Sequence, residues 1–337
     1  MGNDMTVTIK DVARAAGVSV ASVSRALNGH DNVTPETRER IETVARELRY
    51  MPHGAARSLI TKRTQTVGAV LPDLYGEFFS ELIRGMDMAA QRNQLHLLVS
   101  SSHGSPLETA RALRALQGRV DGLLVMSPHA DADLLAENLP AKLPMVLMNT
   151  RVSGAAYPSL IIDNYAGAYA MVRHLVERGY RRIALIAGPE QNFDAQERRR
   201  GYTNALRQLL PEAEEIVLPG DFTEGAGYRA AQAVQARRER PDAVFAANDT
   251  MALGCLFALN EAGVRVPQDI AVVGFDDIPI ARYVTPALTT VRVRIAELGE
   301  RALARLVAAI EQPDSSRPQA ETLGCDLVVR QSCVRSG

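Results

Sequence analysis

Ser19, Val20, Ala21 and Ser22, followed by Ser24 and Arg25, put small, polar and basic side chains at the start of a short helix. Hydroxyls and a guanidinium there suit base edges and phosphates in a DNA major groove, and Val20 and Ala21 suit thymine methyl groups. An exposed Val20 is hard to explain by core packing. The same residues also fit an ordinary helical hairpin, and the pattern alone does not choose between the two. A second set lies further along. Asp73, Asn149, Arg151, Asp163, Arg198, Asn248 and Asp276 fall at or after the ends of apolar runs, with the aromatic pair Phe78 and Phe79 just beyond Pro72-Asp73. Carboxylates, amides and a guanidinium beside aromatic rings suit a sugar, whose hydroxyls hydrogen-bond while its C–H face stacks. Each acid on its own also fits a helix cap, as Asp249 does before Met251, and Phe222 fits a core.

The first set needs short helices to hold it. Thr8 followed by Asp11 starts a helix whose apolar face, Val12, Ala15 and Ala16, runs up to Gly17. Ser19 caps a second helix, Val20 to Leu27, and Thr34 with Pro35 and Glu36 opens a third that ends near Leu48. Two helices across a tight turn, supported by a third, is the plan of a helix-turn-helix unit. Tyr50-Met51-Pro52 breaks the pattern. Beyond it, Gly54 to Leu59 is long enough for only one or two helical turns, marginal unless something packs on it. Such a segment fits a helix formed on DNA, with Leu59 wedging a minor-groove step and Arg57 near phosphates; Leu59 equally fits as a cap on the following domain.

The second set needs strand ends. From Thr66 the chain alternates apolar runs with amphipathic stretches: Val67–Leu71, Leu95–Val99, Gly122–Met126, Met145–Met148, Leu160–Ile162, Ile183–Ala187, Ala243–Ala246 and Ile270–Val273. This predicts parallel sheets buried on both faces, and too many strands for one sheet, hence two α/β lobes.

The 337 residues are ample for a core without disulfides, and Cys255, Cys325 and Cys333 show no metal or redox spacing, which fits a reducing cytoplasm. Net charge is −1, but residues 1–63 hold 10 Lys and Arg against 7 Asp and Glu, so a basic end precedes an acidic body. There is no secretory h-region and no membrane-length apolar run.

The stretch Thr8 to Asn28, with Val33 to Arg38 and Ala56-Arg57-Ser58-Leu59, resembles the lactose/galactose repressor (LacI/GalR) family. The resemblance continues through Gly68–Asp73, Val120–Leu123, Ile183–Pro189, Ala247–Gly254, Val273–Asp277 and Leu288–Val291. It implies an all-α helix-turn-helix headpiece at 1–49, a hinge helix or linker at 50–63, and a two-lobed α/β body of the type I periplasmic-binding-protein kind at 64–337. One lobe would comprise about 64–162 and 292–323, the other about 163–290 and 325–337, with crossings near Asp163, Thr289 to Arg292 and Leu323 to Cys325. DNA contacts are then expected from Thr8, Ser19, Val20, Ala21, Ser22, Ser24, Arg25, Asn28, Thr34, Arg57 and Leu59. Phe78, Asp163, Arg198, Phe222, Asn248 and Asp276 fall on ligand-contacting positions, whereas Asp73, Asn149 and Arg151 are placed by proximity and Phe79 as the second ring of the aromatic pair. Val293 stands where several sugar-binding relatives carry a polar residue.

The expected function is a repressor that binds palindromic operator DNA as a homodimer and is released by a sugar inducer. A corepressor form responding to a purine or phosphorylated metabolite is the variant. A solute-binding protein would want a secretory signal and no basic headpiece, and an enzyme would want a phosphate loop, a nucleophile elbow or metal spacing that the sequence lacks. No cofactor and no membrane partner are expected. The tail Asp326 to Cys333 reads as a final strand without leucine heptads, so no coiled-coil tetramer is expected.

Overall fold

The Asp11 carboxylate accepts hydrogen bonds from the Thr8 N–H and hydroxyl at 3.0 and 2.6 Å, which fixes the start of α1 (Ile9–Ala16). Gly17, at φ +65°, ends it in a left-handed turn that a side chain would strain. The computed structural model describes residues 7–27, 32–50, 63–127, 132–140, 142–150, 157–312 and 320–334. The chain divides into two units at Thr64 and Gln65. Within the first, α2 (Val20–Leu27) and α3 (Pro35–Glu47) pack on α1 around Val12, Ala16, Val23, Ala26 and Ile41, all buried. The Ser19 hydroxyl oxygen accepts from the Ser22 N–H at 3.1 Å, and Thr34 accepts from Thr37 N–H at 3.4 Å, so both helices carry the caps expected of them. The Arg38 guanidinium donates to the Ala26 carbonyl at 2.8 Å, satisfying one orphan acceptor at the end of α2.

The second unit runs β1 (Thr66–Leu71), α4 (Glu77–Arg92), β2 (His96–Ser101), α5 (Pro106–Leu116), β3 (Gly122–Val125), α6 (Ala132–Asn138), β4 (Met145–Met148) and β5 (Ser159–Ile162). The chain then continues through α7 (Asn164–Glu177), β6 (Ile183–Ile186), α8 (Phe193–Leu209), β7 (Ile216–Leu218), α9 (Glu224–Ala236), β8 (Ala243–Ala246), α10 (Asp249–Glu261), β9 (Ala271–Asp276) and β10 (Thr289–Arg292). It closes with α11 (Ile295–Glu311), β11 (Ala320–Leu323) and β12 (Asp326–Val328).

These strands form two six-stranded sheets, ordered β2-β1-β3-β4-β5-β11 and β7-β6-β8-β9-β10-β12. All neighbours are parallel except β10 and β12. Each sheet with its helices is one lobe. The chain leaves the first after Ile162, returns after Arg292, where α11 packs on α4, and leaves again after Leu323. β3, β4, β6 and β8 are buried throughout, as their unbroken apolar runs require.

Three strands escaped the periodicity reading. β10 and β11 carry threonines and charged residues, and β11 alternates exposed and half-buried, so neither makes an apolar run, while the Ile-Val-Leu run of β7 is only three residues long. The tail also differs. The extended segment stops at Val328, and Gln331–Cys333 turns into a 3-10 helix because Arg330 is drawn inward to the Leu288 carbonyl at 2.8 Å and the Asp277 carboxylate at 2.5 Å.

Candidate functional site

Strand order reverses between β1 and β3 in one sheet and between β6 and β8 in the other, and such switch points open a crevice beyond the strands' carboxyl ends. A single cleft of about 820 Å³ occupies this place, with walls from both lobes. Pro72 and Asp73 follow β1, Met126 follows β3, Asn149 follows β4, Phe222 follows β7, Asn248 follows β8, and Asp276 ends β9.

Arg198, one helical turn after Asp194 on α8, is the hub. Its Nε donates to Asn164 Oδ1 at 2.7 Å, its Nη1 to the Ala247 carbonyl at 2.5 Å, and its guanidinium lies 3.9 Å over the Phe275 ring. Its Nη2 stands 3.1 Å from Asp276 Oδ1, with both side chains almost wholly buried. Asn164 passes the connection on, donating from Nδ2 to Asp194 Oδ1 at 2.7 Å. Two acids therefore share one arginine. Burial pushes the Asp194 and Asp276 carboxyls up to about 6, with Arg198 pulling the other way.

Two buried polar atoms here make no well-aligned hydrogen bond among the described residues: Asp276 Oδ1, whose neighbour is Arg198 Nη2 at 3.1 Å, and Asn149 Nδ2, whose amide still lies close enough to Asp194 to help hold its carboxyl down. Asn149 comes from the first lobe and holds φ +45°, pinned by its own Oδ1 accepting from Ile162 N–H at 3.3 Å and by Thr150, whose hydroxyl bonds Ser127 and Met148 carbonyls at 3.1 and 2.9 Å. Asp276 holds φ +114°, a strained backbone for an aspartate. Unsatisfied polar atoms facing a cavity are costly unless a ligand or water meets them.

Of the effector set read from the sequence, Asp73, Phe78, Phe79, Asn149, Arg198, Phe222, Asn248 and Asp276 all line this cleft. Phe78 and Phe79 meet edge to face at 5.3 Å. The Phe222 ring packs onto Gly188, where any side chain would collide with it. Asp163 does not line the cleft; it caps α7, accepting from Ala166 N–H at 3.0 Å. Asp73 lines it with its Oδ1 turned to the N–H groups of Leu74 and Tyr75 at 2.7 and 3.1 Å. Asn248 both lines it and caps α10, accepting from Met251 N–H at 2.9 Å and donating to the Phe222 carbonyl at 3.1 Å. The cap before Met251 is thus Asn248 and not Asp249, which is fully buried and accepts from the Thr290 hydroxyl at 2.5 Å and Ile278 N–H at 2.9 Å. Val293 is buried outside the cleft, its N–H donating to the Asp276 carbonyl at 3.2 Å.

Sequence reasoning missed Asp194, Asn164 and Tyr75. The spacing of Asp194 and Arg198, four apart on one amphipathic helix, was the available signal for the first.

In the first unit, Val20 is 41% exposed, Ala21 and Arg25 are exposed, and Val23 and Ala26 face the core, so α2 offers its N-terminal polar face to solvent. Ser19, Ser22, Thr8 and Thr34 all serve as caps or cap partners. Ser24 is half-buried. Asn28, Arg57, Leu59 and Arg151 lie outside the described residues.

Residues 8–53 match the family of bacterial regulatory proteins of the lacI type, and residues 172–333 match a periplasmic binding protein-like domain. The HTH-type transcriptional repressor PurR of Erwinia tasmaniensis is 38% identical over 321 residues, covering 94% of this chain and 93% of the relative. The chain belongs to the lacI family. Solved structures agree with that family's fold. A lac repressor dimer bound to operator and the anti-inducer ONPF superposes with a TM-score of 0.86 at 29% identity, covering 98% of this chain and 99% of that one. A complex of the transcriptional regulator CelR with cellobiose superposes at 0.71 and 34% identity, covering 97% and 99%. As a lacI-family regulator, the chain carries the headpiece and the two-lobed body in the family order.

Proposed function

We propose that this chain is a transcriptional repressor whose hold on operator DNA is set by a neutral, hydroxyl-rich effector, a sugar inducer, bound between the two lobes. The charge inventory of the cleft carries this reading. Its described lining residues include five carboxylates, Asp73, Glu190, Asp194, Asp221 and Asp276, against one guanidinium, Arg198, whose donors already face protein acceptors. Such a wall repels phosphate and carboxylate ligands. Carboxylates, the Asn149 amide and four phenylalanines, Phe78, Phe79, Phe193 and Phe222, suit hydroxyls and C–H faces. The cellobiose complex of CelR supports the ligand class.

On the DNA side, Val20, Ala21, Ser22, Ser24 and Arg25 read bases and phosphates from α2, with Arg57 and Leu59 contributing at the centre of a palindrome. The operator-bound lac repressor dimer supports reading as a homodimer. So does an exposed apolar groove of about 420 Å³ on α9 and α10, lined by Tyr228, Leu253 and Phe257, the last 59% exposed. Induction needs only a differential affinity for two lobe arrangements, on the order of 1–3 kcal/mol.

A purine corepressor is the second reading, favoured by relatives named as PurR repressors; another, from Escherichia fergusonii, is also 38% identical, over 317 residues. Isothermal calorimetry with a panel of mono- and disaccharides, purine bases and sugar phosphates separates the two. Heat from a neutral sugar alone supports the first reading, heat from a purine base the second, and tight binding of a sugar phosphate contradicts the charge argument.

A further inference from the structure

Three backbone crossings join the lobes, and the loop Asp73–Glu77 joins them again through side chains. The Tyr75 hydroxyl donates to Glu224 Oε1 at 3.3 Å, and the Ile280 N–H donates to Glu77 Oε2 at 2.8 Å. Tyr75 and Glu77 belong to the first lobe, Glu224 and Ile280 to the second.

All four partners are held in place. Asp73 binds the Leu74 and Tyr75 N–H groups, and Gly76, at φ +88°, turns the chain into α4, so Tyr75 and Glu77 leave one rigid corner. Glu224 sits in the first turn of α9, where the helix dipole favours a carboxylate. That turn is braced by Thr223, which donates to Asp221 through its N–H at 2.9 Å and its hydroxyl at 2.5 Å. Ile280 lies in the 3-10 turn Pro279–Arg282, whose leading residue Ile278 is tied to the buried Asp249. Tyr75 is 67% exposed yet lines the cleft, which puts it at the rim.

A lone exposed hydrogen bond holds little. Two from one corner, to two separate elements of the facing lobe, resist rotation as well as separation. We propose that Asp73–Glu77 is an interlobe latch: its bonds to Glu224 and to the Ile280 amide are made together in the arrangement described here and break together when the lobes move. They therefore set how much differential affinity an effector must supply to change that arrangement. This regulatory consequence rests on the cleft being the effector site; the latch itself does not.

Hydrogen–deuterium exchange of the full-length protein, read at the Ile280 amide, tests it without any ligand. Tyr75→Phe removes one hydroxyl at the rim and touches nothing at Ile280. If the two bonds act as one latch, this variant speeds exchange at Ile280 by about fivefold, and Glu77→Ala speeds it by about tenfold, the scale of one charge-assisted hydrogen bond. Glu81→Ala, which breaks only the pair with Arg84 inside the first lobe, leaves Ile280 at the wild-type rate. Wild-type protection of Ile280 in Tyr75→Phe overturns the latch. Faster exchange in Tyr75→Phe, in a protein that takes up no sugar or purine by calorimetry, upholds the latch and removes only the effector reading.

Discussion

Arg198 Nη2 lies 3.1 Å from Asp276 Oδ1, with the two side chains 4% and 7% exposed. A buried ion pair contributes little net stability, but stripping one partner strands the other in a low dielectric. Arg198→Met strands Asp276 without its ion-pair partner, removes the nearby positive charge from Asp194, and costs about 3–5 kcal/mol in urea unfolding. The double variant Arg198→Met, Asp276→Asn recovers a substantial part of that loss. A single variant within ~1 kcal/mol of wild type would falsify the hub assignment.

The same pair makes stability depend on pH. Folded, Asp194 and Asp276 titrate near 6; unfolded, near the ordinary carboxylate value of about 3.9. The native state thus binds these protons more tightly. Their contribution is complete below about pH 4 and is lost as pH rises through about 6. Asp194→Asn removes one of the two groups, so it raises stability at pH 7.5 and flattens the pH dependence between about 4 and 6. Urea midpoints at pH 5.0, 6.0 and 7.5 read this directly, and an equal effect of the substitution at all three values is the contrary result.

Helix packing within the body gives a third expectation. A side chain at Gly85 of α4 would run into the Ala296 carbonyl on α11, and one at Gly299 of α11 would meet the Leu82 carbonyl. Gly85→Ala is therefore expected to cost about 1–3 kcal/mol despite the better helix propensity of alanine. A neutral or raised melting temperature contradicts this close approach.

On α2, exposure and core membership part company between neighbours. Val20→Asn leaves the melting temperature of the protein unchanged but alters operator preference by about 1–3 kcal/mol at one base pair of each half-site. Val23→Ala does the reverse, since Val23 is fully buried: it destabilises the headpiece without changing which operator is preferred. Binding to a library of single-base operator variants distinguishes the two patterns.

The helical starts at Thr8, Ser19 and Thr34 were legible because capping is local: a hydroxyl or carboxylate meets an N–H two or three residues away. Strands β1, β3, β4, β6, β8 and β9 were legible because burial on both faces demands unbroken apolar runs. β10 and β11 were not, because threonines and charged residues break their apolar pattern, and β7 was not, because its Ile-Val-Leu run is only three residues long. The cleft was half legible. Strand ends pointed to Asp73, Asn149, Asn248 and Asp276 and left a cap open for each acid, but nothing local says that Asp163 is the one that stays outside the cleft as a cap while Asp194, inside a helix, reaches the centre. Interlobe contacts such as Tyr75 with Glu224, separated by 149 positions, leave no periodic trace at all.

Sugar-controlled operator binding is tested most directly by fluorescence anisotropy of the full-length protein on a labelled palindromic operator from its own upstream region, titrated with the sugar that gives heat in calorimetry. The expected result is specific binding that this sugar weakens by about tenfold or more, equivalent to a coupling of roughly 1.4 kcal/mol, with Asp276→Asn binding operator normally but no longer responding. Binding no tighter than to random DNA, or operator affinity that the sugar leaves unchanged, contradicts it.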